Sequence, residues 1–211
     1  MKKIISLFFV FILVSNAQEI SGGMGISYFN NSTLTDYING NYASGGEKLS
    51  TFNSQIDFYI ETAFDISENY QLAVEYDFSL WSYTNSSFGI GNYEFTLKNH
   101  KPSLLGYYVI KGMGYNFKFG AGTGLRIANV TQKISPTETD YSSTGVGFVS
   151  KVQGNTLLGG NFYANIAFEA RYDMPGEPED GGSKITNNSL KENVTASLFS
   201  VGLKLGVTYI F

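Results

Sequence analysis

Along most of this chain apolar and polar residues alternate one by one. The stretch from Leu203 to Phe211 shows it best: Leu203, Leu205, Val207, Tyr209 and Phe211 fall on one side, Lys204, Gly206 and Thr208 on the other, with Ile210 the exception. A two-residue repeat marks a strand whose faces meet different surroundings. Here one face is apolar and aromatic and the other small or polar. That suits a membrane barrel, whose outer face meets lipid and whose inner face meets the lumen.

The same reading predicts strands at about Glu19–Phe29, Phe52–Phe64, Tyr70–Tyr83, Tyr93–Ile110, Phe117–Val130, Val146–Leu158, Phe162–Tyr172 and Val194–Phe211. Met24, Ile26, Phe58, Ile60, Tyr76, Phe119, Leu125, Phe148, Ile166 and Phe168 are predicted to point outward. The fourth strand is ambiguous. Pro102 lacks an N–H and should interrupt the ladder or sit at a bulge, and LLGYYVI after it assigns no face. The connections alternate in length. Asp65–Asn69, Lys111–Asn116 and Gly159–Asn161 are short; Asn30–Thr51, Thr84–Asn92, Thr131–Gly145 and Asp173–Asn193 are longer and polar. Bacterial barrels have short periplasmic turns and long external loops, and eight strands satisfy that topology. Within the first loop, Ser32 to Ile38 reads as a short helix with a Ser or Thr cap. No internal repeat or second domain is evident.

The amino end reads as a secretory signal peptide over residues 1–17. Lys2 and Lys3 precede an apolar run from Ile4 to Val14, and Ser15 and Ala17 place cleavage before Gln18. That run is too short to span ~30 Å of hydrocarbon as a helix. Residues 18–211 then form one barrel domain. Losing Lys2 and Lys3 with the leader takes the formal charge from −4 to −6, which argues against a nucleic-acid partner, because phosphate binding needs a basic face. The chain has no cysteine, so it has neither a disulfide nor a thiolate metal site. Its 24 glycines, 15 tyrosines and 17 phenylalanines beside 4 prolines suit a β protein with an aromatic belt.

Together these features resemble the small bacterial outer-membrane β-barrel proteins, relatives of the OmpA transmembrane domain, OmpX and OmpW. The likeness covers the whole chain after the leader and rests on pattern, not on an exact motif. It implies an all-β fold, an eight-stranded antiparallel transmembrane up-and-down β-barrel. It implies contact with outer-membrane lipid and lipopolysaccharide. It also implies that Leu205, Val207, Tyr209 and Phe211 are the signal by which the barrel assembly machinery recognises its clients. No counterpart of the peptidoglycan-binding domain of full-length OmpA is expected.

The candidate chemistry lies in the lumen. The alternation turns Asp57, Glu61, Glu75, Asp77 and Glu169 inward, together with Lys118, Arg126, Lys151, Arg171 and Lys204. In an eight-stranded ring the second strand lies opposite the sixth and the third opposite the seventh. Asp57 and Glu61 are therefore expected to face Lys151, and Glu75 and Asp77 to face Arg171. A barrel of this width is filled by side chains, and ions held there must pair. Gly120, Gly122 and Gly124 share one strand face and should make room for bulky lumenal side chains; no helix follows to make a phosphate loop. His100, with Ser103 nearby, raises the possibility of a lipid-modifying enzyme, but no carboxylate stands close by to orient the imidazole; a rim or lumen position is expected. Glu177, Glu179 and Asp180 lack calcium-loop spacing and read as a solvated tip. No cofactor and no metal is expected. The favoured reading is a monomeric, non-catalytic barrel acting through its external loops. The alternatives are a narrow passage for small hydrophobic molecules and a lipid-modifying enzyme. A soluble lipocalin-like barrel would have the inverse pattern, apolar inside and polar outside.

Overall fold

The computed structural model describes residues 18–42, 48–87, 91–187 and 190–211. The expected signal peptide lies outside them. Eight long antiparallel strands are β1 (Glu19–Asn30), β2 (Asn53–Ser67), β3 (Tyr70–Ser87), β4 (Gly91–Gly112), β5 (Tyr115–Ile134), β6 (Thr137–Gly159), β7 (Phe162–Met174) and β8 (Leu198–Ile210). Each pairs with its neighbour in sequence, and β1 pairs with β8, so the sheet closes on itself. Closure satisfies every backbone ladder without an edge, the condition for crossing lipid with strands. No helix among the described residues is long and apolar enough to cross a membrane.

The alternation sets the faces. Leu205 is 56% exposed and Leu203 53%, while Lys204 between them is 0% exposed. The apolar side chains form the outer wall and the ions fill the interior. Two-residue turns join β2 to β3, β4 to β5 and β6 to β7 at the end that also holds both strand termini. Gly114 and Gly160 lie in two of these turns at φ +79° and +57°, a region costly for residues with a Cβ.

The other end departs from the expected loops. The polar segments 84–92 and 131–145 are mostly strand, because β3 to β6 run on for 18, 22, 20 and 23 residues. About 9–11 residues of a tilted strand cross the hydrocarbon, so these four strands rise above it as a wall. Above the hydrocarbon the chemistry of the two faces inverts. Tyr93, Phe95 and Leu97 are buried inside while Glu94 and Lys98 are exposed outside. Strand β8 begins at Leu198, later than expected, because the N–H groups of Val194 and Ala196 donate to the Ile185 and Gly176 carbonyls within the β7–β8 connection and not to β7. The expected helix is present as α1 (Ser32–Asn41), capped by Asn31 and not by Ser or Thr; the Asn31 side chain accepts from the Leu34 N–H at 3.0 Å. Pro102 does interrupt pairing, but without a bulge: β4 and β5 skip the pair at Lys101 and Pro102 and resume in the same register.

Candidate functional site

The lumen is a continuous ionic network. Glu61 and Glu75 are direct cross-strand neighbours on β2 and β3, an arrangement that is repulsive by itself. Lys151, reaching across from β6, bridges them with Nζ 2.9 Å from Glu61 Oε2 and 2.6 Å from Glu75 Oε2. The Tyr107 hydroxyl donates to the same Glu61 oxygen at 2.7 Å. Arg171 on β7 donates through Nε to Glu169 Oε1 at 2.7 Å and through Nη2 to Glu75, and lies 3.9 Å from Asp77. Lys204 on β8 joins Asp77 to Glu169, the latter at 2.8 Å. Lys151 and Lys204 also sit 5.0 and 5.2 Å from the centre of the Tyr59 ring, where the ring face attracts a cation.

All ten ions named from the sequence are buried. Three more join them: Glu19, Lys101 and Asp173. Glu19 pairs with Lys118, Asp173 with Arg126, and Lys101 stands 3.6 Å from both Asp77 and Asp173. Sequence reasoning missed Glu19 at a strand start, Lys101 in the unassigned strand and Asp173 in a supposed loop. One expected pairing fails. Asp57 does not meet Lys151; it accepts from the Ser27 hydroxyl at 2.6 Å and from Gln55 Nε2 at 3.3 Å. Strand opposition identifies the right walls, but Asp57 sits one inward position above Tyr59 and two above Glu61, out of line with Lys151.

The lumenal glycines are spaces for these side chains. A Cβ at Gly147 would strike the Arg126 guanidinium and the Asp173 carboxylate, and one at Gly120 the Tyr107 ring; one at Gly122 would meet the Leu104 carbonyl first and then the Leu105 side chain.

Two further layers flank the ions. Toward the short turns, Asn165 donates to Asn155 at 2.7 Å and Asn155 to Asn116 at 2.6 Å, while Tyr59 donates to Asn165 at 2.9 Å. Toward the wall, an apolar cap closes the mouth. Helix α1 contributes Leu34, Tyr37 and Ile38; the β7–β8 connection contributes Ile185, Val194 and Ala196; the strands contribute Phe29, Trp81, Tyr93, Phe95 and Leu97. Phe29 meets Trp81 edge-on at 5.6 Å, and Tyr42 stacks on Tyr93 at 3.9 Å. Burial pushes the Tyr37 and Tyr93 hydroxyls above the ordinary tyrosine range. The Asn31 amide donates to the Thr195 carbonyl at 2.8 Å, tying the helix to the β7–β8 connection.

No protein-family model matches the sequence, and no curated protein matches it. Solved structures do match. Neisserial surface protein A aligns with a TM-score of 0.55 at 12% identity, over 92% of this chain and 96% of that one. The attachment invasion locus protein of Yersinia pestis, in complex with the heparin analogue sucrose octasulfate, aligns at 0.51 and 13% identity, over 92% and 97%. The same protein without the analogue aligns at 0.50 and 12%. The fold is that of the small outer-membrane β-barrels.

Within such a barrel, His100 is neither at a lumenal position nor near Ser103. His100 is on the outer wall, with Nδ1 2.6 Å from the Tyr76 hydroxyl and its ring 5.1 Å from Phe78. Ser103 is buried inside, donating to the Lys101 carbonyl at 3.2 Å and accepting from Arg126 at 3.1 Å. The sheet separates the two. Of the acidic loop residues, Glu177 pairs with Lys184 at 2.7 Å, and both are exposed. Hydrogen bonds from Lys184 and Asn193 hold the Glu177 carboxyl below its ordinary range.

Proposed function

We propose that this chain is a non-catalytic, monomeric barrel of a bacterial outer membrane, with a sealed lumen, that acts through its external surface. The observation that carries this reading is closure in two tiers, an ion-paired belt under an aromatic cap. A passage for small hydrophobic molecules needs an apolar path, and the belt puts buried charges across it. A lipid-modifying enzyme needs a base within hydrogen-bond reach of a nucleophile, and His100 and Ser103 face opposite sides of the wall. The external surface is extensive. It comprises the outward face of the wall, with Thr96, Thr131 and Asp140, and the β7–β8 connection. Outer-membrane lipid and lipopolysaccharide are the neighbours of its outer apolar wall, and the assembly machinery reads Leu205, Val207, Tyr209 and Phe211. The fold likeness to an attachment protein supports a surface role. The connection here is acidic, with Glu177, Glu179, Asp180 and Glu192 beside Lys184 and Lys191, which does not suit a sulfated polyanion.

Proteoliposomes bearing the purified chain test the reading. Neither swelling in small sugars, nor uptake of small hydrophobic solutes, nor release of fatty acid from the lipid is expected above empty vesicles. Swelling or uptake would establish the transport reading, and lipid cleavage the enzymatic one.

A further inference from the structure

The buried charges do not balance. Among the described residues, seven buried acids (the five named from sequence with Glu19 and Asp173) share the interior with six buried bases. An interior of low dielectric does not hold a surplus charge at small cost. The surplus can be located. Asp57 is 1% exposed and belongs to none of the ion pairs among the described residues, its contacts being the neutral Ser27 and Gln55. Lys101 and Lys204, the bases nearest in register, are engaged by Asp77.

The surroundings of Asp57 are rich in oxygen. Ser79 is its direct partner on β3, and Gln55 is the next inward residue on β2. Both are nearly fully buried, at 1% and 3% exposure, and Ser79 Oγ and Gln55 Oε1 have no hydrogen-bond partner among the described residues. A buried oxygen left unsatisfied is costly and calls for a partner. Asn99, the partner of Ser79 on β4, also faces in. This layer lies between the ionic belt below and the aromatic cap above.

We propose that Asp57, Ser79 and Gln55 form a binding site for one alkali cation, buried between belt and cap. The Gln55 amide turns Nε2 toward Asp57 in the structure; turned over to present Oε1, it makes the donors all oxygen, and oxygen donors select a hard cation. One carboxylate among neutral oxygens matches a single positive charge, which is also the size of the imbalance. A divalent ion would be under-coordinated in charge and would face Lys101 and Lys204 across Asp77.

The test is unfolding of the full chain in detergent micelles at fixed pH and ionic strength, in sodium, potassium or N-methylglucamine chloride. A ligand bound only by the folded state raises stability with a dependence set by its concentration and affinity. The midpoint is expected to rise in at least one alkali salt over the organic cation and to saturate as the site fills. Asp57→Asn should erase that rise. Ser79→Ala, a smaller change that keeps the carboxylate, should move half-saturation to about tenfold higher cation, the equivalent of one weakened ligand. Equal midpoints in all three salts overturn the proposal. So does a Ser79→Ala protein with unchanged half-saturation. A midpoint that responds to pH but not to the cation places a proton on Asp57 instead and equally overturns it.

Discussion

At the residue scale, the lumen makes each ion depend on its partner. Lys151 separates Glu61 from Glu75, so Lys151→Met should leave two adjacent buried carboxylates. The expected loss is about 3–5 kcal/mol, the usual cost of breaking a buried pair, read as a fall in the denaturant midpoint. Tyr107→Phe removes one hydrogen bond to a carboxylate and should cost about 1.5–3 kcal/mol. If both variants unfold like the wild type, the lumen is wet and its charges are solvated. Glycines offer a second comparison. Gly147→Ala puts a methyl against Arg126 and Asp173, whereas a Cβ at Gly106, on the outer wall, meets nothing within 4 Å. The first should cost about 1–3 kcal/mol as overpacking and the second about 0.5 kcal/mol or less. Equal effects would mean that Gly147 does not face the ion pair. The sequence showed which residues point in but not how they pair, because pairing across a barrel depends on stagger, which alternation does not encode. Asp57 is the case in point: its wall was right and its height was not.

At the element scale, the strands were legible wherever one face is wholly apolar. Strand β4 was not, because Leu105, Tyr107 and Val109 pack inside against Ala63, Ala73 and Val149 while Leu104, Tyr108 and Ile110 face lipid. Both faces are apolar, and the period disappears. The protruding wall was misread as loop for a different reason. Above the membrane the outside meets water, so the apolar residues change sides. In β4 they sit at odd positions only, inside, from Tyr93 to Leu97, and at even positions outside as well from Leu104 to Ile110, with no bulge between. The gain of an apolar outer face without a bulge therefore marks the membrane surface. Labelling of single cysteines checks the register. Cysteine at Phe168 should be shielded by detergent and lipid, and Leu205→Arg should cost about 2–4 kcal/mol near the midplane; free aqueous labelling at Phe168 would shift every facing by one. In the β7–β8 connection, the lowered Glu177 carboxyl gives stability that is full above the ordinary carboxylate range. That stability is lost as pH falls through the lowered value. Amide protection over residues 183–187 and 190–193, corrected for the intrinsic exchange rate, should therefore fall on acidification, and Glu177→Gln should remove that pH dependence.

At the scale of the whole molecule, the barrel is closed by different physics at different heights: amide hydrogen bonds near the short turns, ion pairs through the middle, and aromatic packing at the mouth. The cap was invisible in the sequence because it is assembled from α1, the β7–β8 connection and strand ends carrying Phe29, Trp81, Tyr93, Phe95 and Leu97, whose apolar character does not by itself place them inside. The ionic belt was visible because its charges interrupt otherwise apolar strands. Closure in series means that no single lesion opens the lumen fully. Single-channel recording in planar bilayers tests this most directly, comparing the wild type, Arg171→Ala, a variant with Ser32–Asn41 replaced by a glycine–serine linker, and the combination. Wild-type protein is expected to give no steps, each single change brief or small ones, and the combination a sustained conductance. A large, steady conductance from the wild type would contradict the account, because its charges would then line an open pore and not a seal.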